Sequence, residues 1–283
     1  MRRFLARAFP ATRRCSLGIA LLLALGLAGC GGGASSAERD VETAADSSAA
    51  PSGEAEGLSY IALGDSWIQG AHCNGCRTFP QTDAEALSEL LGKPVTLQNL
   101  AGDNQPYFET PGGGGSTGLR KALQTDEYFR ERVAAADIIV ISTGPNDFGR
   151  IGKAIEKGTC GGADDTACVA ELDRRWHRDF DAILSEIEEL RTGQPTAIRL
   201  VSVPNEFDDP SFSPATRRGW EASFEALAQA MCDTAKKHDV VCIDTRPVLN
   251  GPDFEQPPDV DAQESMDAVA ELLAQTGIPE LEE

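Results

Sequence analysis

Three short turns hold the residues best suited to chemistry. Gly64-Asp65-Ser66-Trp67 follows an apolar run. A small Gly lets the chain turn sharply, and a serine at a strand tip presents its hydroxyl in a cleft as a candidate nucleophile. Asn99-Leu100-Ala101-Gly102-Asp103 follows a second run, and Gly102 can offer a backbone N–H with no side chain in the way. Gly144-Pro145-Asn146-Asp147 follows a third, and Asn146 can aim a side-chain N–H at a developing oxyanion. Taken singly, each is also an ordinary turn, because turns favour these residue types. Together they suit acyl transfer. A serine attacks a carbonyl, a base takes its proton, and each fixed donor at the oxyanion supplies roughly 2.7–4 kcal/mol.

Alternating strands and helices must position these turns. Residues 59–63, 95–100, 137–143, 197–203 and 240–244 read as buried strands. Helical spacing covers 82–91, 119–135 (in one piece or two), 168–190, 214–237 and 264–273. Five alternations with continuous apolar strands predict an α/β fold with a parallel sheet and helices on both faces. Ligands in such folds bind at the carboxyl ends of the strands, where all three turns fall.

Gly-Asp-Ser at 64–66, the Asn99…Gly102 turn and Gly-x-Asn-Asp at 144–147 resemble, in order, the first three blocks of the SGNH (GDSL) hydrolase family. The resemblance runs from Ser59 to the final helix. It implies a three-layer α/β/α sandwich with a five-stranded parallel sheet of flavodoxin-like type. It also implies a serine hydrolase acting on carboxylic esters, either lipid acyl or carbohydrate acetyl esters. Ser66 would be the nucleophile. The Ser66 N–H, the Gly102 N–H and the Asn146 amide would form the oxyanion hole. The turn at Gly102 is shorter than the family's usual second block. No cofactor is implied, and the partner is a small-molecule ester.

The fourth block, Asp-x-x-His before the last helix, is not matched. The chain reads Pro257-Pro258-Asp259-Val260-Asp261-Ala262 there. Alignment from the final helix puts Val260 at the histidine position, and alignment on Asp259 puts Ala262 there. Neither carries a proton. Three histidines remain, His72, His177 and His238. His72, six residues after Ser66, is the candidate replacement base. His177 sits beside a charged helical face, and His238 sits where a helix end favours a cation. Asp259 or Asp261 would be a weaker base, since an ordinary carboxyl pKa near 4 matches serine poorly. General-base assistance is worth about 10²–10⁴-fold, so the chain reads either as an impaired esterase or as a silent module holding glycan or lipid. Trp67, Phe79, Tyr107 and Phe108 are candidates for the cleft wall or the core, and the glycines at 112–115 for a loop beside the site.

The flanking composition bears on location. Residues 1–29 combine Arg2, Arg3, Arg7, Arg13 and Arg14 with an apolar stretch too short to span a bilayer comfortably. Leu27-Ala28-Gly29-Cys30 resembles the bacterial lipobox, which implies lipidation at Cys30 and an anchor on the extracytoplasmic face of the cell membrane. A plain secretory signal is the alternative. Thr12-Arg13-Arg14 loosely resembles a twin-arginine signal. Residues 30–57 form an acidic Gly/Ser/Ala tether, and 58–283 the folded domain. The formal charge is −20 with five arginines in the signal, so the rest is more acidic still and nucleic acid is excluded as a partner. A monomer is expected.

Beyond Cys15 and Cys30, six cysteines remain, an even number in an exported chain. Their positions suggest local disulfides, Cys73–Cys76, Cys160–Cys168 and Cys232–Cys242. The rival is a metal site from His72, Cys73, Cys76 and a remote cysteine, which an oxidising compartment disfavours.

Overall fold

Strand β1 (Leu58–Gly64) is an inner strand of the fold, and its residues Tyr60 to Leu63 are apolar on both faces and buried. A computed structural model describes residues 57–71, 73, 75–102, 114–207, 209–254, 256–260 and 262–281. His72, Tyr107, Phe108, Gly112, Gly113, Asp261, Cys30 and the signal and tether up to residue 56 lie outside the described residues. The described residues all fall within one compact unit, Ser52–Glu283.

Helix α1 (Ser66–Gln69) follows β1 at once, then α2 (Phe79–Leu91) and β2 (Val95–Asn99). Next come α3 (Ser116–Thr125), α4 (Glu127–Ala134), β3 (Ile138–Ser142), α5 (Gly149–Glu156) and α6 (Val169–Leu190). The chain closes with β4 (Ala197–Val201), α7 (Pro214–Lys237), β5 (Val241–Ile243), α8 (Arg246–Leu249) and α9 (Gln263–Thr276). The strands form one parallel sheet in the order β2-β1-β3-β4-β5. Crossovers in such sheets are right-handed, so helices after β1 and helices after β3 pack on opposite faces. Accordingly α2 packs with α9, while α3, α6 and α7 pack together. The α/β/α expectation therefore holds.

β3 and β4 are buried throughout, whereas edge strand β2 alternates partly buried and exposed residues. The order reverses beside β1, so the β1/β3 pair forms the topological switch point where such sheets open a crevice. Gly64 pairs with Ser142 across that pair.

Some boundaries differ from the sequence expectation for local reasons. α2 starts at Phe79 rather than 82, because the Gln81 side chain accepts the Thr78 N–H at 2.8 Å and Pro80 suits a first turn. The stretch at 119–135 is two helices. Asp126 accepts the N–H groups of Tyr128 and Phe129 at 2.9 and 3.3 Å, which starts α4 afresh. α5 was not expected, since Gly149 and Gly152 dilute its helical signal. The cysteines pair as Cys73–Cys76, Cys160–Cys168 and Cys232–Cys242, with Cα separations of 5.5, 4.9 and 5.1 Å.

Candidate active site

The first two turns are built by close backbone approach at the tip of β1. Gly64 has φ +142°, and a Cβ there would sit 1.9 Å from the Ser142 carbonyl oxygen. Only glycine fits such a contact at such a φ. Asp65 then donates its N–H to that carbonyl at 3.2 Å. Ser66 opens α1, so its own N–H has no intrahelical acceptor. Among the described residues its hydroxyl has no hydrogen-bond partner, leaving it available to a substrate or base.

Gly144 also has positive φ, +138°, and a Cβ there would meet the Leu227 side chain at 2.5 Å. The turn Pro145–Asp147 follows. Buried Asp147 fixes it. Its carboxylate accepts the Ser116 N–H at 2.9 Å, the Ser116 hydroxyl at 2.6 Å and the Trp176 indole N–H at 3.0 Å. Asn146, one residue earlier, is exposed.

Ser66 and Asn146 line the same cleft, of about 230 Å³, with Asp65, Trp67, Pro145, Phe148, Val203, Glu206, Phe207 and Val260. Two of the three residues named from the sequence thus meet in one crevice, at the switch point. A larger groove of about 520 Å³, lined by residues including Pro214, Arg217 and Phe254, holds none of the three motif residues.

The donors are engaged within the fold. Gly102, at φ +99°, gives its N–H to the Gly64 carbonyl at 3.2 Å. The Asn146 amide gives an N–H to the Gly114 carbonyl at 3.1 Å. Gly102 must exchange its partner to serve an oxyanion, whereas the Asn146 amide keeps a second N–H for one. Asn99 braces the second turn, donating to the Ile68 carbonyl at 3.1 Å and accepting the Ala101 N–H at 3.0 Å.

The electrostatics of the cleft centre on Asp65. It is 2 % exposed, and burial pushes its carboxyl up to about 8. The backbone N–H groups of Trp67 and Gly144 oppose that rise, while the charges of Asp147 and Glu206 add to it. At neutral pH Asp65 therefore keeps its proton. Trp67 is buried against Phe79, with ring centroids 5.2 Å apart, so Trp67 forms cleft wall and Phe79 forms core.

Val260 lies in the cleft wall, so the residue matched to the family histidine from the final helix is apolar. Asp259 turns its carbonyl to the Ser265 hydroxyl at 2.7 Å. His177 lies on α6 with Nε2 3.5 Å from Asp173. His238 bridges Glu188 at 2.8 Å and Asp181 at 2.9 Å. Burial lowers its pKa, but Asp181 and Glu188 outweigh that and raise it. Neither histidine is among the residues lining the Ser66 cleft. Glu206 lines it, and sequence reasoning missed that residue. Its only signal is a place just beyond the carboxyl end of β4.

Residues 62–264 match the GDSL-like lipase/acylhydrolase family. No curated protein matches the chain. Among solved structures, the lipase Lip_vut3 from a goat rumen metagenome is similar, with 21% identity and a TM-score of 0.60. That match covers 78% of this chain and 98% of the lipase. Phospholipase A1 from Streptomyces albidoflavus is similar at 12% identity and a TM-score of 0.51, covering 78% of this chain and 99% of that one. A variant of an acetyl-xylooligosaccharide esterase from Geobacillus is similar at 11% identity and a TM-score of 0.51, covering 77% and 93%. These likenesses concern the fold.

Proposed function

The chain belongs to the GDSL-like lipase/acylhydrolase family, and from that premise we propose that it is a serine esterase cleaving lipid acyl or carbohydrate acetyl esters. The observation that carries the reading is the shared cleft of Ser66 and Asn146 at the β1/β3 switch point. In this reading Ser66 attacks the ester carbonyl and forms an acyl-enzyme. The Ser66 N–H, the Gly102 N–H and the second N–H of the Asn146 amide receive the oxyanion after Gly102 leaves the Gly64 carbonyl. Water then releases the acid. The lipase, phospholipase and acetyl-xylooligosaccharide esterase folds are consistent with both ester classes.

We further propose that Cys30 is lipidated and that residues 30–57 hold a monomeric domain off the outer face of the membrane. The lipobox-like Leu27-Ala28-Gly29-Cys30 and the acidic tether support this.

The test is hydrolysis of p-nitrophenyl acetate by the full chain beside Ser66→Ala. Turnover lost in the variant supports the esterase, and equal turnover in both contradicts it. A second reading, a silent module that binds glycan or lipid, is favoured by Val260 in the cleft and by Gly102, the donor whose single N–H is fully taken. It calls for saturable binding to glycan or lipid panels with no Ser66-dependent turnover.

A further inference from the structure

We infer that Glu206 takes the Ser66 proton, as a carboxylate base in place of the unmatched histidine; this rests on the serine-esterase reading above. Among the described residues, the titratable side chains lining the cleft with Ser66 are Asp65 and Glu206. Asp65 is buried behind the turn and protonated at neutral pH, so it is no acceptor. Glu206 is exposed to the cleft. Its negative charge helps hold the Asp65 proton in place. With Asp65 holding its proton, Glu206 is the carboxyl lining the cleft that is left to accept one.

The turn that presents Glu206 is fixed on both sides. Asn205 is buried, and its backbone N–H and C=O both bond the Asn250 side chain, at 2.9 Å each. The Asn205 side-chain oxygen accepts the Phe207 N–H at 3.0 Å. The Phe207 ring stacks on Trp220 with centroids 4.4 Å apart. The two anchored neighbours fix the backbone from which the exposed Glu206 side chain enters the cleft. The sheet order brings it there. β1, β3 and β4 are adjacent, and the loops at their carboxyl ends supply Ser66, Asn146 and Glu206.

The step balances without a co-reactant beyond water. As Ser66 Oγ bonds the acyl carbon, its proton passes to the Glu206 carboxylate and the carbonyl π pair moves to oxygen. Collapse breaks the bond to the alcohol oxygen, which takes the proton back from Glu206. Water repeats the sequence on the acyl-enzyme, giving acid and a free serine. A carboxylate is a weaker base for serine than an imidazole, so turnover is slower than a histidine base would give. With no imidazole in the step, the acid limb near pH 6.5 that a histidine base gives is absent.

The experiment measures kcat and KM for p-nitrophenyl acetate from about pH 5 to 8. It uses the full chain and its Glu206→Gln, Glu206→Asp, His72→Ala and Ser66→Ala variants, with thermal melts to confirm folding. Glu206→Gln keeps the shape but accepts no proton. The expected result is a kcat loss of about 10²-fold or more in Glu206→Gln, with KM within about threefold. Glu206→Asp recovers part of the rate, Ser66→Ala falls to background, and the parent shows no acid limb near pH 6.5. Ser66-dependent turnover with Glu206→Gln within about twofold of the parent overturns the inference and leaves the esterase standing, as does a loss confined to His72→Ala. No turnover, or turnover unchanged in Ser66→Ala, overturns both.

Discussion

The backbone N–H of Asp65 donates to the carbonyl of Ser142 at 3.2 Å, so the turn that presents Ser66 and the turn that presents Asn146 grow from one pair of strands. Their relative position is set by main-chain contact rather than by flexible side chains. Gly64 makes that contact with φ +142°, where an added Cβ would lie 1.9 Å from the Ser142 oxygen. Gly64→Ala is expected to destabilise the domain by about 3 kcal/mol or more, and to abolish any Ser66-dependent activity that remains. Chemical denaturation and an ester assay on the same preparation check both. A variant of parental stability would contradict the contact.

Buried Asp65 should impose a pH dependence on stability. Its folded pKa of about 8 lies above the ordinary value of 3.8. Between those values the folded state holds a proton that the unfolded state has released. Stability from this group is therefore full below about pH 4, declines as pH rises, and levels off above about 8. The slope is at most about 1.4 kcal/mol per pH unit. Asp83, pushed up to about 6 chiefly by burial, adds the same sign over a narrower window. Asp65→Asn should flatten the decline between pH 5 and 8, seen in urea unfolding at each pH. An equal slope in both proteins would contradict the buried, protonated carboxyl.

The Cys232–Cys242 bond joins the last turns of α7 to β5, the edge strand at the far side of the sheet. Replacing both cysteines by serine should cost about 2–4 kcal/mol, read as a lower Tm without added reductant. Reductant should lower the parent's Tm by more than the variant's, which keeps the other two bonds. An equal response in both would place the sensitivity at those two bonds.

Val260 shares the cleft with Ser66. Val260→His should put an imidazole where alignment from the final helix places the family's histidine. The expectation is a gain of about tenfold or more in Ser66-dependent turnover, with a new acid limb near pH 6.5. A soluble, folded variant with no gain would show that this wall position does not reach the serine.

The fold was legible because its inner strands are largely buried. Ile138 to Ile141 is a continuous apolar run, and Ala197 to Val201 is apolar but for buried Arg199, as parallel strands covered on both faces require. The break at Asp126 was legible only as an option, since a capping aspartate and a helical one look alike before the backbone bonds are known. Gly64, Gly144 and Gly102 marked the site because a glycine just after a strand signals a tight turn. Glu206 carried no local signal. A lone glutamate after Val203-Pro204-Asn205 becomes notable only when β4 is placed beside β3 and Asn250 locks its turn. The engagement of Gly102 by Gly64 was likewise invisible, because it depends on how far the β1–β2 ladder extends past the strands.

The central claim is that Ser66 is a nucleophile. The most direct measurement is mass spectrometry of the full chain quenched during turnover of p-nitrophenyl acetate, with the modified peptide sequenced. The account predicts one acetyl group on Ser66 and none in Ser66→Ala. Turnover that leaves Ser66 unmodified and persists in Ser66→Ala would contradict it.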